Sequence, residues 1–341
     1  MLKQLNLLRK YNLETYRQEF QRCRTKYLQL CKQKKHKHKI DSINALKSVR
    51  NSSEWWKVVN SYKSKNVTVS SAISANDFAA HFQRLLASDA NSSTILWCLP
   101  AKVDPYLDSP FELRDIVLVL QKCKCNKAPG PDLICYEFYK FAPLSFMLEV
   151  LRLLNFIFLS EEIPSSFRTA IIIALYKKGD INDPSNYRGL SLLNTLYKIF
   201  TGLILDRILS WIHINNILNE FQAGFRQKYS TIDNIFNLCS IVHLNWNAKK
   251  KTFAFFVDFK CAFDMLPRNS LFFKLSALGL SKKMITIIML LYTSTKSQVW
   301  NGQVFSNEFV VEQGVKQGCL LSPVLFSLYI NDLHDHLPGG I

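Results

Sequence analysis

The chain is short of acidic residues. Against 43 Lys and Arg it carries 26 Asp and Glu, which leaves a formal net charge of +17 over 341 residues. That shortage turns the search for partners toward polyanions, nucleic acid before anionic membrane, without separating an enzyme from a structural RNA binder. Long apolar runs are also lacking. Leu151 to Leu159 is interrupted by Arg152 and Asn155 and falls well below the ~20 residues that a bilayer span needs. Lys3, Arg9 and Lys10 break up the N-terminus, which therefore lacks the shape of a signal peptide. Nine cysteines are present, but none forms a C-x-x-C pair, the number is odd, and Cys123 and Cys125 stand apart from other metal-binding types. The pattern points to free thiols in a reduced, intracellular chain, in the nucleus, the cytoplasm or both. No internal repeat is visible.

What is present is unevenly spread. Residues 1–60 hold fifteen Lys and Arg against four Asp and Glu. Residues 3–39 read as one or two basic helices ending in Lys34-Lys35-His36-Lys37-His38-Lys39. That cluster reads equally as a phosphate-binding or nuclear-localisation patch and as a solvated helix face. A second helical pattern, Ser42 to Tyr62, contains Trp55-Trp56, a pair that packs on a neighbouring helix or stacks on bases. The spacing therefore predicts a basic helical arm over 1–62. A linker with one short helix (Asp77 to Ala87, capped by Asn76) follows over 63–108, and a mixed region over 109–341.

In that region Ser109-Pro110-Phe111-Glu112 reads as a helix start: a Ser cap, Pro at the first position, Glu closing the capping box. The helix runs to about Lys122, and others are predicted over 135–141, 144–159, 194–214, 230–248, 268–278, 281–293 and 322–333. Strands are predicted over Thr169 to Tyr176, Gly189 to Leu193 and Thr252 to Asp258. Asn301-Gly302 between two β-type segments is a type I′ hairpin signal. The intermixing of elements predicts an α+β fold with a small antiparallel sheet covered by helices on one face.

Four blocks carry chemistry. In Phe255-Phe256-Val257-Asp258-Phe259-Lys260-Cys261-Ala262-Phe263-Asp264 an apolar run delivers a carboxylate at its exit. Hard divalent cations take carboxylate and backbone oxygens, here Asp258 and the Phe259 carbonyl. A lone strand-end Asp more often caps a turn, and Phe263 alone reads as core. Asp264 reads as structural, capping the turn before Pro267. In Gly314-Val315-Lys316-Gln317-Gly318-Cys319-Leu320-Leu321-Ser322-Pro323 two glycines flank Gln317, and Ser-Pro opens a helix. Tyr176-Lys177-Lys178-Gly179-Asp180 and Asn186-Tyr187-Arg188-Gly189-Leu190-Ser191 put cations on both arms of a hairpin. Lys127-Ala128-Pro129-Gly130-Pro131-Asp132 is a rigid turn.

In order from 127 to 333, these blocks resemble those of non-LTR (LINE-type) retrotransposon reverse transcriptases; group II intron enzymes share related blocks but match the wording less closely. The resemblance implies a right-hand polymerase, with fingers and an incomplete palm, that copies RNA into DNA by two-metal nucleotidyl transfer with Mg²⁺. It makes Asp258 catalytic and a metal ligand together with the Phe259 carbonyl, and puts Phe263 beneath the sugar, where it excludes a 2′ hydroxyl. Lys177 and Arg188 then hold the triphosphate. Gln317 and Gly318 support the incoming nucleotide and the templating base. Lys127 and Arg226, the latter in Phe221-Gln222-Ala223-Gly224-Phe225-Arg226, contact template. The implied partners are an RNA template, a DNA primer and deoxynucleoside triphosphates, with no membrane. The family's aromatic-x-Asp-Asp motif has no counterpart, because no Asp-Asp pair occurs in the sequence, and Asp332 and Asp335 are poor substitutes. The expectation is a fragment with little or no polymerase activity alone; the alternative is a non-catalytic RNA-binding remnant.

Overall fold

The structure, a computed structural model, describes residues 14–48, 73–88 and 102–336. The chain divides into two compact units, Met1–Ser70 and Ser71–Ile341. In the first, α1 (Glu14–Lys47) is one continuous helix that carries the Lys34 to Lys39 cluster. Tyr27, Leu28, Leu30, Ile40 and Ile43 on it are exposed, so no core forms along its length. Trp55-Trp56 and the helix predicted around them lie outside the described residues.

The second unit contains a four-stranded sheet: β1 (Thr169–Tyr176), β2 (Tyr187–Leu192), β3 (Thr295–Trp300) and β4 (Phe309–Val311), in the order β2-β1-β3-β4. The β-branched run places β1 where the sequence puts it, and β2 follows in an antiparallel hairpin, Ile171 opposite Leu192 and Tyr176 opposite Tyr187. The sheet is not wholly antiparallel. β3 lies parallel to β1, Thr169 opposite Lys296, because a run of helices carries the chain back to start β3 at the same end of the sheet. A parallel pair needs such a crossover.

The short helix within 63–108 forms as α2 (Ala75–Leu85) and belongs to the sheet. Its Phe78 and Phe82 pack with Ile172, Tyr187, Val299, Phe309 and Val311. Ser74 caps it rather than Asn76: the Ser74 hydroxyl accepts from the Asp77 amide at 3.1 Å, and the Asp77 carboxylate accepts from the Ser74 amide. Asn76 is engaged elsewhere, its side-chain oxygen accepting from the Asn307 amide. The other helices are α3 (Leu113–Lys122), α4 (Tyr136–Lys140), α5 (Leu144–Ser160), α6 (Thr195–Ile214), α7 (Thr231–Asn247), α8 (Arg268–Ala277), α9 (Lys282–Tyr292) and α10 (Ser322–Tyr329). The main core is built largely from α3, α5, α6, α8, α9 and α10.

Three local expectations are corrected. α3 starts at Leu113, with Glu112 as cap, because Arg207 of α6 claims the carbonyls of Leu107, Ser109 and Pro110 and stacks 4.2 Å from the Phe111 ring. Asn301-Gly302 does not make a two-residue type I′ turn. Trp300 bridges Phe305, the Asn301 side chain accepts from the amides of Gln303 and Val304, and only Gly302 of the pair has positive φ, +99°. Thr252 to Asp258 is not a strand. Phe255 is 95% exposed and Phe256 85%. The physical reason is pairing: none of the four strands lies beside it, and an extended segment without a partner leaves its backbone groups to water.

Arg268 holds the unit together where α8, α9, β3 and β4 converge. Its guanidinium donates to the carbonyls of Gly314 (3.0 Å), Tyr292 (2.8 Å), Val311 (2.8 Å) and Gln313 (3.3 Å) and to the Thr295 hydroxyl. Burial lowers its pKa to about 10, which leaves it protonated at neutral pH. Replacing Arg268 by Met takes a donor from four carbonyls, of which that of Val311 keeps the Thr295 hydroxyl, and is expected to cost about 3 kcal/mol or more in urea unfolding. A loss of a few tenths would show that these bonds contribute little.

Candidate active site

The segment after β4 is threaded between two others. The Gly314 amide donates to the Leu266 carbonyl and the Val315 amide to that of Phe263, both at 2.8 Å. On the other side the Ser191 amide of β2 donates to the Gln317 carbonyl at 2.7 Å. Both glycines are required there. Gly314 has φ +77°, and a Cβ on it would strike the Asp264 carbonyl; Gly318 has φ +127°, and a Cβ on it would stand 2.5 Å from the Ser191 oxygen. Close backbone approach on two sides therefore fixes where Gln317 sits.

Gln317 links two charged groups. Its Nε2 donates to both oxygens of Asp264 at 2.6 Å, and its Oε1 accepts from Arg188 Nε at 2.7 Å. Arg188 sits on β2 opposite Leu175 of β1, and the Lys177 amide just beyond β1 donates to the Asn186 carbonyl, closing the hairpin. Burial pushes the Asp264 carboxyl above its ordinary value, while the Gln317 hydrogen bond and the charges of Arg188 and Lys177 pull it down. An open cleft of about 310 Å³ is lined by Leu175, Arg188, Leu190, Phe263, Gln317 and Gly318 among others. Phe263 stands between core and cleft. It is partly buried, packing edge-on to Phe326 with ring centres 5.3 Å apart, and it also lines the cleft.

Ser322-Pro323 opens α10 as its first two helical residues, with Leu321 at the cap position. The Ser322 hydroxyl donates back to the Lys316 carbonyl at 2.7 Å.

Sequence reasoning passed over Lys316. A lysine between glycines in a loop reads as solvated, yet this one is buried. Its Nζ donates to the carbonyls of Phe167 (3.0 Å) and Leu291 (3.4 Å) and lies 4.6 Å from the Tyr197 ring. Burial lowers its pKa to about 7. The buried Cys319 thiol meets the Tyr197 hydroxyl at 3.3 Å, so the loop is pinned on both sides of Gln317.

The remaining site residues lie elsewhere. Asp258 stands in the exposed extended segment, and the Phe259 ring lies 6.3 Å from that of Phe326. Among the described residues no group of three or more His, Cys, Asp and Glu side chains is placed to hold a metal ion. Asp258 thus belongs to no such group, and the described residues do not by themselves form the ligand set of a two-ion centre. Asp332 accepts from Lys274 Nζ at 2.5 Å, a bond that lowers its pKa, and Asp335 pairs with His334.

Arg226 donates to the carbonyls of Asn219 and Gln222, stacks 4.0 Å from the Tyr229 ring and lines a separate cavity of about 900 Å³. Lys127 is exposed beside Lys122 and Lys124, outside the Arg188–Gln317 cleft. The turn that carries it is docked, because Gly130 lies against the backbone of Leu193 and Asn194 with no room for a Cβ.

Residues 176–340 match the family model described as reverse transcriptase (RNA-dependent DNA polymerase). The range includes Lys177, Arg188, Arg226, Asp258, Phe263 and Gln317; Lys127 lies outside it. Among curated proteins the chain is similar to a probable RNA-directed DNA polymerase from transposon X-element of Drosophila melanogaster, 29% identical over 66% of this chain and 25% of that protein. It is also similar to the RNA-directed DNA polymerase from mobile element jockey of Drosophila funebris, 28% identical over 75% of this chain and 27% of that protein. A further relative is the retrovirus-related Pol polyprotein from type-2 retrotransposable element R2DM of Drosophila melanogaster, 28% identical over 63% and 20%. These likenesses agree on one region: residues 176–340 match a reverse transcriptase domain, and the chain is similar there to RNA-directed DNA polymerases of non-LTR retrotransposons. It spans about a quarter of the length of the X-element and jockey relatives.

Lys316 generates a pH prediction. Its pKa in the folded chain, about 7, is below the ordinary 10.5. The unfolded chain then binds more protons between those values, so stability rises with pH across that window, and the penalty of burying the charged amine is felt in full below it. Lys316→Met removes a slope of at most about 1.4 kcal/mol per pH unit. Urea unfolding of both proteins between pH 7 and pH 9 checks this, and parallel curves would reject it.

Proposed function

We propose that this chain supplies the nucleotide-gripping fingers and part of the palm of an RNA-directed DNA polymerase that copies retrotransposon RNA into DNA. The observation that carries the reading is the convergence of Arg188, Gln317 and Phe263, from three separate sequence blocks, on one cleft. Arg188 presents a planar fork and Lys177 a point charge at the tip of the β1–β2 hairpin, a pairing suited to a triphosphate. Phe263 beneath the cleft supplies a flat wall against a sugar, and Gly318 lets a nucleotide approach the backbone. The substrates on this reading are deoxynucleoside triphosphates, an RNA template and a DNA primer, with Lys127 and Arg226 toward the template. The setting is the nucleus or the cytoplasm. No described helix is long and apolar enough to cross a membrane.

The reverse transcriptase family is metal-dependent, and Mg²⁺ suits oxygen ligands such as Asp258 and the Phe259 carbonyl. One carboxylate does not complete a two-ion centre. The 341-residue chain alone is therefore expected to bind nucleotide and to give little or no primer extension. Extension by the purified chain that is lost in Asp258→Ala would overturn that expectation.

A second reading, RNA binding without catalysis, is favoured by α1, which carries ten Lys and Arg against three Asp and Glu. Deleting residues 1–60 is then expected to flatten the salt dependence of RNA affinity. An unchanged slope would remove the arm from the interface. For the main reading, Arg188→Ala is expected to weaken deoxynucleoside triphosphate binding about tenfold with an unchanged thermal midpoint. Equal affinities in calorimetry would displace Arg188 from the grip.

A further inference from the structure

Asp264 stands apart from the chemistry assigned so far. It does not cap the turn before Pro267: its carboxylate turns to Gln317, and α8 starts at Arg268 behind Pro267 with no side-chain cap. The turn that carries it is held by its own amide donating to the Cys261 carbonyl at 2.9 Å, and the Gly314 backbone lies against its carbonyl. The carboxylate is therefore placed by backbone on two sides and delivered to a single side chain.

We propose that Asp264 is a positioning residue for the triphosphate grip: it fixes the direction of the Gln317 amide, so that the amide oxygen anchors Arg188 Nε and the terminal nitrogens of the guanidinium are left to the cleft. The reasoning is one of polarity. An ionised carboxylate only accepts, and a guanidinium only donates. Gln317 lies between them, and only one orientation of its amide satisfies both. Reversed, it would set oxygen against carboxylate and –NH₂ against guanidinium. Arg188 spends Nε on this anchor, and among the described residues no hydrogen bond engages Nη1 or Nη2. An anchored arginine loses less freedom on meeting an anion than a free one, which raises its affinity without a new contact.

The charges facing Asp264 are Arg188 and Lys177, with Arg268 and Lys316 lining the same small cavity behind it. All four are basic. The inference rests on the nucleotide-gripping reading above, and the sequence signal for it is slight: an Asp six residues after Asp258 and fifty-three before Gln317.

The test is a charge-conserving exchange. Q317E sets two carboxylates against each other, and D264N replaces an acceptor-only group with an amide that also donates, so that either orientation of the Gln317 amide can be met. The double variant D264N/Q317E rebuilds the chain in reverse, the new amide donating to the new carboxylate, which still accepts from Arg188, with net charge as in the parent. Two quantities are read on the full 341-residue chain. The first is affinity for inorganic tripolyphosphate and for dTTP by calorimetry. The second is hydrogen exchange of the Arg188 Nε–H by NMR, which reports the anchor whether or not anything binds.

Each single variant is expected to weaken binding about threefold to tenfold and to speed Nε–H exchange, and the double variant to restore both to within about threefold of the parent. A structural role alone would not be rescued by reversing the polarity. The inference is overturned if D264N leaves Nε–H exchange at the parent rate, or if the double variant stays as weak and as fast as the worse single. Should neither probe bind the parent, the nucleotide reading falls, and the exchange data still decide whether Asp264 orients Gln317 and Arg188.

Discussion

The cleft depends on a charge that never reaches it. Arg268 sits on α8, buried, and its guanidinium gathers the carbonyls of Gly314, Gln313, Val311 and Tyr292. Two of those carbonyls belong to the loop that presents Gln317. Because a buried cation is costly unless its donors are met, this one is stable only with the loop in place, and the loop has its shape only around the cation. Lys316 repeats the device one turn further on, with carbonyls from before β1 and from the end of α9. Two basic side chains thus do inside the unit what salt bridges do elsewhere, using backbone oxygens instead of carboxylates.

Much of this architecture is legible in the sequence, for identifiable reasons. Thr169 to Tyr176 announces β1 because a β-branched run has few alternatives. The helices expected over 230–248 and 281–293 form as α7 and α9 because their apolar periodicity is local, and the structure adds a serine cap to each, Ser230 and Ser281. What escaped is what long-range contacts decide. Arg207, nearly a hundred residues away, moves the start of α3 by taking carbonyls that Ser109 and Pro110 would have carried into the helix. The parallel pairing of β1 with β3 leaves no local trace, since periodicity reports burial and not partner. Lys316 escaped because burial of a lysine depends on carbonyls contributed from elsewhere.

Asp258 shows the limit from the other side. The run before it has the composition of a buried strand, but a strand is a relation between segments, and among the described residues that relation is not formed. Phe253, Phe255, Phe256 and Val257 stand exposed, as do apolar side chains of the preceding α7, among them Phe236, Leu244 and Trp246. The grip and the carboxylate thus differ in kind. Gln317 and Arg188 are fixed by their surroundings within this chain, whereas Asp258 has its sequence context without a structural one.

The parallel register has a kinetic consequence. Thr169 meets Lys296 only after the whole intervening stretch has been made. The entropy of closing so long a loop must be met before the pairing returns anything, which makes this the slow contact of the domain. The β1–β2 hairpin, by contrast, is local and forms on the microsecond scale typical of such turns, ~1–10 μs. Arg188 is therefore in position early and waits, unanchored, for Gln317. If the cleft grips nucleotide as proposed, its two halves mature at different times, and a chain arrested between them would display the hairpin's cations to any passing polyanion before it could discriminate among them.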